Sequence, residues 1–145
     1  MEKITKSRLL KSDGTPVDIA VATTGNVWTK SHKIAYGSVF CVSLRAKTET
    51  GTPDIDVYLE QTHLDPESVH EGNANATGEG VIGDVYNGWV IPNGVSKVAD
   101  ITDEAWHHFT ITPVALPFIR LLLDGQGANP ADCTVECYVS QQQVD

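Results

Sequence analysis

The sequence is poor in the features that mark membrane-spanning, disulfide-stapled and nucleic-acid-binding proteins. It holds three cysteines, and no apolar run approaches the roughly 20 residues that cross a bilayer. Ten lysines and arginines stand against nineteen aspartates and glutamates, a net charge of -9. Binding to nucleic acid depends on cations that neutralise phosphates. We therefore expect neither a membrane span nor a nucleic-acid partner.

The N-terminus does not resemble a signal peptide. In MEKITKSRLLKSDG the longest apolar run is Leu9-Leu10, and no small-residue cleavage site follows. Cys41, Cys133 and Cys137 are odd in number, and the last two are too far apart to bridge within one straight strand. Free thiols in a reducing compartment are expected, with a bridge from Cys41 to one of the others as the alternative.

The charges are divided unevenly along the chain. Residues 1–50 hold eight basic and four acidic residues, a net charge of +4, whereas residues 51–145 hold two basic and fifteen acidic residues, a net charge of -13. Lys3, Lys6, Arg8 and Lys11 form a basic N-terminal group. These side chains either serve solubility or dock on an acidic neighbour, including another copy of this protein.

Short runs with a period of two, separated by glycine- and proline-rich turns, predict strands and no helix. PFIRLLLDGQGANPADCTVECYVSQQ reads as two apolar strands joined by a turn, a hairpin. We predict an all-β, antiparallel β-sandwich of jelly-roll type. It comprises residues 16–145 as one domain, preceded by residues 1–15 as a basic arm or edge strand. A glycine-rich stretch over about 63–94 is interpreted as a long polar loop excursion, with one short strand at Trp89-Val90-Ile91.

The alternation also predicts which side chains face the core. Three strands carry this prediction, with inward sets Phe40, Val42, Leu44 and Ala46; Ile55, Val57 and Leu59; Val135, Cys137 and Val139. In the second of these strands Asp56, Tyr58 and Glu60 should face water or a partner. Trp106 to Thr112 alternates less cleanly, with Phe109 and Ile111 inward.

No pattern of catalytic or metal-binding residues is present in the sequence. There is no Gly-x-Ser-x-Gly or Ser-x-x-Lys motif, and His107 and His108 should point to opposite faces of a strand. The glycines that begin at Gly78-Glu79-Gly80 precede no predicted helix, which a phosphate-binding glycine motif requires. His63 and His70 flank acidic residues without the spacing of a zinc or calcium site. Asp54, Asp56 and Glu60 are compatible with glycoside hydrolysis, but such alternation is typical of a solvated strand. We expect no enzyme, metal or cofactor.

The aromatic residues are the better candidates for recognition. Trp28 and Trp106 are predicted to pack in the core. Tyr86 and Trp89 close the polar excursion, where they could contact a partner or form a platform for a sugar. Arg120 interrupts an apolar strand, so it should either pair with an acidic residue across the sheet or protrude into an interface.

Three stretches, VYLEQT (57–62), GWVIPNG (88–94) and LPFIRLLLDGQGANPADCTVECYVSQ (116–141), resemble small β-sandwich virion proteins of tailed bacteriophages, above all capsid decoration proteins. The resemblance covers about half of the chain. It implies a non-enzymatic virion protein, a trimer or dimer, that binds the major capsid protein and stabilises the head. A basic N-terminal arm reaching onto the capsid fits this role. A neck or tail component and a carbohydrate-binding β-sandwich are the alternatives.

Overall fold

The computed structural model describes residues 2–11, 13–34, 39–62, 97–111 and 118–144. These residues form ten strands: β1 (Glu2–Arg8), β2 (Ile19–Ala20), β3 (Gly25–Trp28), β4 (His32–Lys33), β5 (Val39–Lys47), β6 (Ile55–Thr62), β7 (Ala99–Ile101), β8 (His107–Ile111), β9 (Phe118–Gly125) and β10 (Thr134–Val144). In the described ranges there is no helix long and apolar enough to cross a membrane. The predicted excursion at 63–94, with its short strand, lies outside the described residues.

The strands form two antiparallel sheets that face each other. The first has the order β1-β10-β5-β8, with β2 also paired to β10, and the second has the order β3-β9-β6-β7, with β4 also paired to β9. Leaving out the two-residue strands β2 and β4, the remaining eight strands fall into the orders 1-8-3-6 and 2-7-4-5. This arrangement is that of a jelly roll, so the predicted fold class is confirmed.

The core lies between the sheets, where the alternation of the sequence placed it. The inward side chains of β5 and β10 are 0% exposed: Phe40, Val42, Leu44, Ala46, Val135, Cys137 and Val139. They meet Ile55, Val57 and Leu59 of β6 and the inward residues of β9, all 3% exposed or less. Phe109 packs against this cluster from β8, as predicted. The apolar face of each sheet is removed from water only because the other sheet covers it, so the two sheets stabilise each other.

The predicted hairpin of β9 and β10 is wrong, because the two strands lie in different sheets. β9 pairs with β3, β4 and β6, whereas β10 pairs with β1, β2 and β5. The intervening turn therefore carries the chain from one sheet to the other. Asn129 holds it there, because its side-chain amide nitrogen donates to the Val21 carbonyl and its oxygen accepts from the Asp54 amide.

The N-terminal residues 2–8 are an edge strand of the first sheet rather than a free arm. β1 pairs with β10 along its whole length, from Glu2 opposite Val144 to Arg8 opposite Tyr138. Leu9, which follows, is 1% exposed and belongs to the core. Leu10 and Lys11 then contact Lys30 and Thr29, so the chain crosses from the first sheet toward the second at this point.

Candidate binding surface

The outward face of the first sheet carries a row of polar, cationic and aromatic side chains. Residues opposite one another in antiparallel strands point to the same face. Arg8, Tyr138, Ser43 and His108 are opposite one another across β1, β10, β5 and β8, and Lys6 begins the next row. Tyr138 lies between the buried residues Cys137 and Val139 of β10, so it faces outward. This face is the candidate binding surface.

Three aromatic rings meet on this face. The ring of Trp106 stacks on that of His108, with centroids 6.5 Å apart and planes 14° apart. Its centroid also lies 6.0 Å from that of Tyr138, with the rings tilted at 45°. Both separations are within the range of favourable aromatic pairs. Trp106 is nevertheless 42% exposed, so the prediction that it packs in the core is wrong.

The short loop before β8 holds Trp106 in place. Asp103 Oδ1 accepts a hydrogen bond from the Ala105 amide and lies 2.8 Å from His107 Nε2, and these contacts lower the pKa of Asp103. Glu104 anchors the loop to the end of β5, because its carboxylate accepts from the Thr48 amide and its carbonyl accepts from Arg45 Nε. The indole therefore sits on a braced loop, and little conformational entropy is lost when a ligand contacts it.

Two cations lie over the Tyr138 ring. Lys6 Nζ is 4.5 Å from the ring centroid and Arg8 Cζ is 5.8 Å from it, distances at which cation–π attraction operates. Arg8 also donates to Asp18 at 2.7 Å, so its charge is balanced. In the described part of the chain no carboxylate pairs with Lys6. Lys6 and Arg45, whose Nε donates to the Glu104 carbonyl, are thus the cations of this face that make no ion pair among the described residues, and Lys6 is the one that lies over Tyr138.

A charge network lies at one margin of the surface. Lys47 Nζ contacts Glu136 at 3.0 Å and Asp18 at 3.6 Å. The hydrogen bond from Lys47 lowers the pKa of Glu136, and the same contact raises the pKa of Lys47. Tyr138 donates its hydroxyl to Glu136 at 3.1 Å, which raises the pKa of Tyr138. The hydrogen bond from the hydroxyl to Glu136 therefore fixes the orientation of the Tyr138 ring.

The second sheet holds the remaining charged candidate, Arg120, in a buried site. Its Nε lies 2.6 Å from Glu60 Oε2, and Glu60 also accepts from Trp28 Nε1 at 3.1 Å. Arg120 is 1% exposed and Glu60 is 0% exposed. Of the two predictions for Arg120, pairing across the sheet is correct and protrusion into an interface is wrong. The expectation that Glu60 faces water is also wrong, because the buried guanidinium requires its charge.

The other predicted contact residues are distributed as follows. Lys3, Lys6 and Arg8 lie in β1, and Lys11 is exposed just beyond it with its ammonium 3.9 Å from Asp13. Tyr86, Trp89 and the histidine-containing stretch His63–Glu71 lie outside the described residues. Trp28 is buried as predicted, at 3% exposed, but it lies on the outer face of the second sheet beside Glu60 and not in the cluster between the sheets. The structure therefore brings Lys6 and Arg8 together with Trp106, His108 and Tyr138, a grouping that the sequence did not reveal.

The described residues contain no cluster of three or more side chains suited to hold a metal ion. The three cysteines are free thiols. Burial raises the pKa of Cys133 and raises that of Cys137 to about 12, so neither is a thiolate at neutral pH.

Comparisons with known proteins place the chain in no family. No protein-family model matches it, and no curated protein matches it. One similar solved structure is that of Bacillus endospore appendages, described as a novel family of disulfide-linked pili; it is 13% identical, with 100% of this chain and 92% of that chain covered and a TM-score of 0.46. Another is the CBM36-1 domain of a multidomain xylanase from the hindgut metagenome of Trinervitermes trinervoides, 9% identical, with 99% of each chain covered and a TM-score of 0.43. Neither is described as a virion protein, and the jelly-roll assignment rests on this chain's own strand pairing.

Proposed function

We propose that this chain is a non-catalytic structural protein of a tailed-phage particle, which binds the capsid surface through the open edge of β1. The resemblance of residues 57–62, 88–94 and 116–141 to capsid decoration proteins supports the virion role. The jelly roll is a fold that viral capsid and lectin domains use repeatedly. The observation that carries the proposal is β1 itself, a seven-residue edge strand of the described sheet, which lies in the basic segment 1–50 of an acidic chain.

The backbone of β1 is arranged to receive another strand. The Leu9 amide donates to the Cys137 carbonyl, and continuing the antiparallel alternation directs the amides of Ser7 and Thr5 toward β10. The amides of Lys6 and Ile4 then point to the other edge of β1, where none of the described strands pairs. Ile4 is also 73% exposed, a large value for an isoleucine within a strand. An extended segment of a partner protein adds to such an edge through main-chain hydrogen bonds.

The partner fits this edge best if its surface is acidic. Residues 1–50 carry a net charge of +4, and Lys3, Lys6 and Arg8 all belong to β1. Charges of this kind steer association and fix the register of a contact more than they add affinity. The partner is a major capsid protein or another virion protein, and copies of this chain associate as a dimer or trimer on the lattice, where many weak contacts reinforce one another.

Co-sedimentation with undecorated heads of the phage that encodes this chain tests the proposal. Light scattering gives the mass of the free protein in the same experiment. We expect an oligomer that binds heads in fixed stoichiometry. Ile4→Pro removes an edge-facing amide and should abolish binding without unfolding the protein, whereas Ile4→Ala keeps the amide and should bind. A monomer that stays in the supernatant would move the assignment to a neck or tail component. Retained binding by Ile4→Pro would contradict the edge contact.

A carbohydrate-binding function is the second candidate, and the exposed ring of Trp106 favours it. The predicted sugar platform at Tyr86 and Trp89 lies outside the described residues. Trp106, Tyr138 and His108 provide a different platform on the first sheet. The two functions use different groups, main-chain amides at the edge in one case and side chains on the face in the other.

A further inference from the structure

The surface around Trp106 combines a flat aromatic platform with a cation that has no carboxylate partner among the described residues. Trp106 is 42% exposed, and its ring stacks on His108 and contacts Tyr138. Lys6 Nζ lies on the far side of the same group, 4.5 Å from the Tyr138 centroid. A ligand that lies on the Trp106 ring therefore has a positive charge one aromatic ring away from it.

We propose that this face binds an anionic saccharide, with a sugar ring stacked on Trp106 and its carboxylate or sulfate paired with Lys6. This inference specifies the second candidate function and does not depend on attachment to a capsid. The apolar face of a pyranose ring packs on an indole because both surfaces are flat and their C–H groups meet the π-face. The sugar hydroxyls then remain free to bond with water and with polar groups at the margin.

The charges around the platform select an anion. Arg8 is neutralised by Asp18, and Lys47 by Glu136 and Asp18, so these cations and carboxylates balance one another. Glu136 is the carboxylate nearest the Tyr138 hydroxyl, and its pairing with Lys47 reduces its repulsion of an incoming anion. The exposed carboxylates of Asp103 and Glu104 are held by hydrogen bonds to His107 and to the Thr48 amide. Lys6 and Arg45, which make no ion pair among the described residues, are left to attract the ligand. The binding free energy of an anionic sugar should exceed that of a neutral one by the contribution of one exposed ion pair, between Lys6 and the acidic group of the sugar.

The platform is formed before any ligand arrives. Asp103 and Glu104 brace the loop that carries Trp106, and Ser43 Oγ lies 2.6 Å from His108 Nδ1, which fixes the ring beneath the indole. Tyr138 is held by its bond to Glu136. Rigid aromatic contacts of this kind lose little entropy on binding, and they commonly dominate the affinity of small interfaces.

An array of uronate-, sialate- and sulfate-bearing oligosaccharides with their neutral counterparts tests the proposal, followed by calorimetry on the best ligand. Acidic members should be retained, and the methyl ester of a retained uronate oligosaccharide should bind more weakly. Trp106→Ala should reduce affinity at least about tenfold, because it removes the stacking surface. Lys6→Gln should reduce it about two- to fivefold at low salt and change nothing at high salt.

Two controls separate ligand binding from folding. Lys97→Gln changes an exposed lysine on the second sheet, which pairs with Asp56 and Asp100, and it should leave the affinity for the saccharide unchanged. Lys33→Gln changes another exposed lysine of the second sheet, on β4, and should likewise leave the affinity unchanged. If no acidic saccharide is retained, or if Trp106→Ala binds as the wild type does while folded, the proposal is overturned. Ile4→Pro should leave saccharide binding intact, so that failure of the capsid assignment is distinguished from failure here.

Discussion

Glu60 and Arg120 form an ion pair inside the protein, with Arg120 Nε 2.6 Å from Glu60 Oε2 and side chains that are 2% and 0% exposed for arginine and glutamate respectively. The two residues are directly opposite each other on β6 and β9. The same carboxylate oxygen accepts from Trp28 Nε1 on β3. One acceptor therefore joins three neighbouring strands, and the Arg120 guanidinium lies 5.6 Å from the Trp28 ring.

Removing the cation from this pair should destabilise the fold severely. Arg120→Met removes the cation that lies 2.6 Å from the buried Glu60 carboxylate, and we expect a loss of about 3–5 kcal/mol in the free energy of unfolding. Urea denaturation followed by circular dichroism measures it. The double variant Glu60→Gln with Arg120→Met should recover most of the loss, because an amide needs no counter-ion and still accepts from Trp28. Equal losses in the single and double variants would contradict the ion-pair account.

The burial of Glu60 and Arg120 was only partly predictable from the sequence. Alternation along β5, β6 and β10 predicted their inward faces, because a strand places successive side chains on opposite sides. It did not reveal that the opposite face of the second sheet is covered as well, with Trp28, Glu60 and Leu122 all 3% exposed or less. The signal was the unbroken run Leu121-Leu122-Leu123, since strands buried on both faces are continuously apolar.

The alternation of apolar and polar residues within one strand does not predict which sheet the strand joins or which residues meet on the binding surface. β9 and β10 follow one another around a turn, which suggested a hairpin, yet their partners are strands distant in sequence. Lys6, Trp106 and Tyr138 are likewise far apart along the chain and meet only through the pairing of β1 with β10 and of β5 with β8. Trp106 lies just before β8, so strand alternation does not fix its exposure.

Gly125 should not tolerate a side chain. It is the last residue of β9, opposite Gly25 on β3 and Ile55 on β6, and a Cβ atom there would overlap the carbonyl oxygen of Ala22. Gly125→Ala forces the backbone to shift and should cost about 1–3 kcal/mol. Gly127→Ala is the matched control, because no atom lies within 4 Å of its added Cβ. Thermal unfolding of the two variants compares them, and equal melting temperatures would contradict this explanation.

Asn129 should be needed to hold the crossing between the sheets. Its side chain is buried, bonding to the Val21 carbonyl at 3.2 Å and the Asp54 amide at 3.0 Å. Asn129→Ala leaves both groups without that partner and should cost about 1–3 kcal/mol. Asn129→Asp keeps the acceptor for Asp54 and loses the donor to Val21, so it tests the donor separately at neutral pH. Urea unfolding measures both, and wild-type stability of Asn129→Ala would refute the role.

Acid should weaken the fold partly through Glu136. Its bond from Lys47 lowers its pKa in the folded protein, so the unfolded chain takes up this proton first as the pH falls. The stabilisation is complete well above the unfolded value of about 4.3 and is lost as the pH falls through the lowered folded pKa. Because Lys47 is 42% exposed, solvent screens this pair and its contribution to the free energy of unfolding is small. Urea midpoints at pH 7 and pH 3 should differ less in Glu136→Gln than in the wild type.

Glu49→Gln, a change at an exposed glutamate in the turn after β5, should keep the wild-type difference between the two midpoints. An unchanged difference in Glu136→Gln would mean that other carboxylates, including Asp103 with its lowered pKa, carry the acid sensitivity.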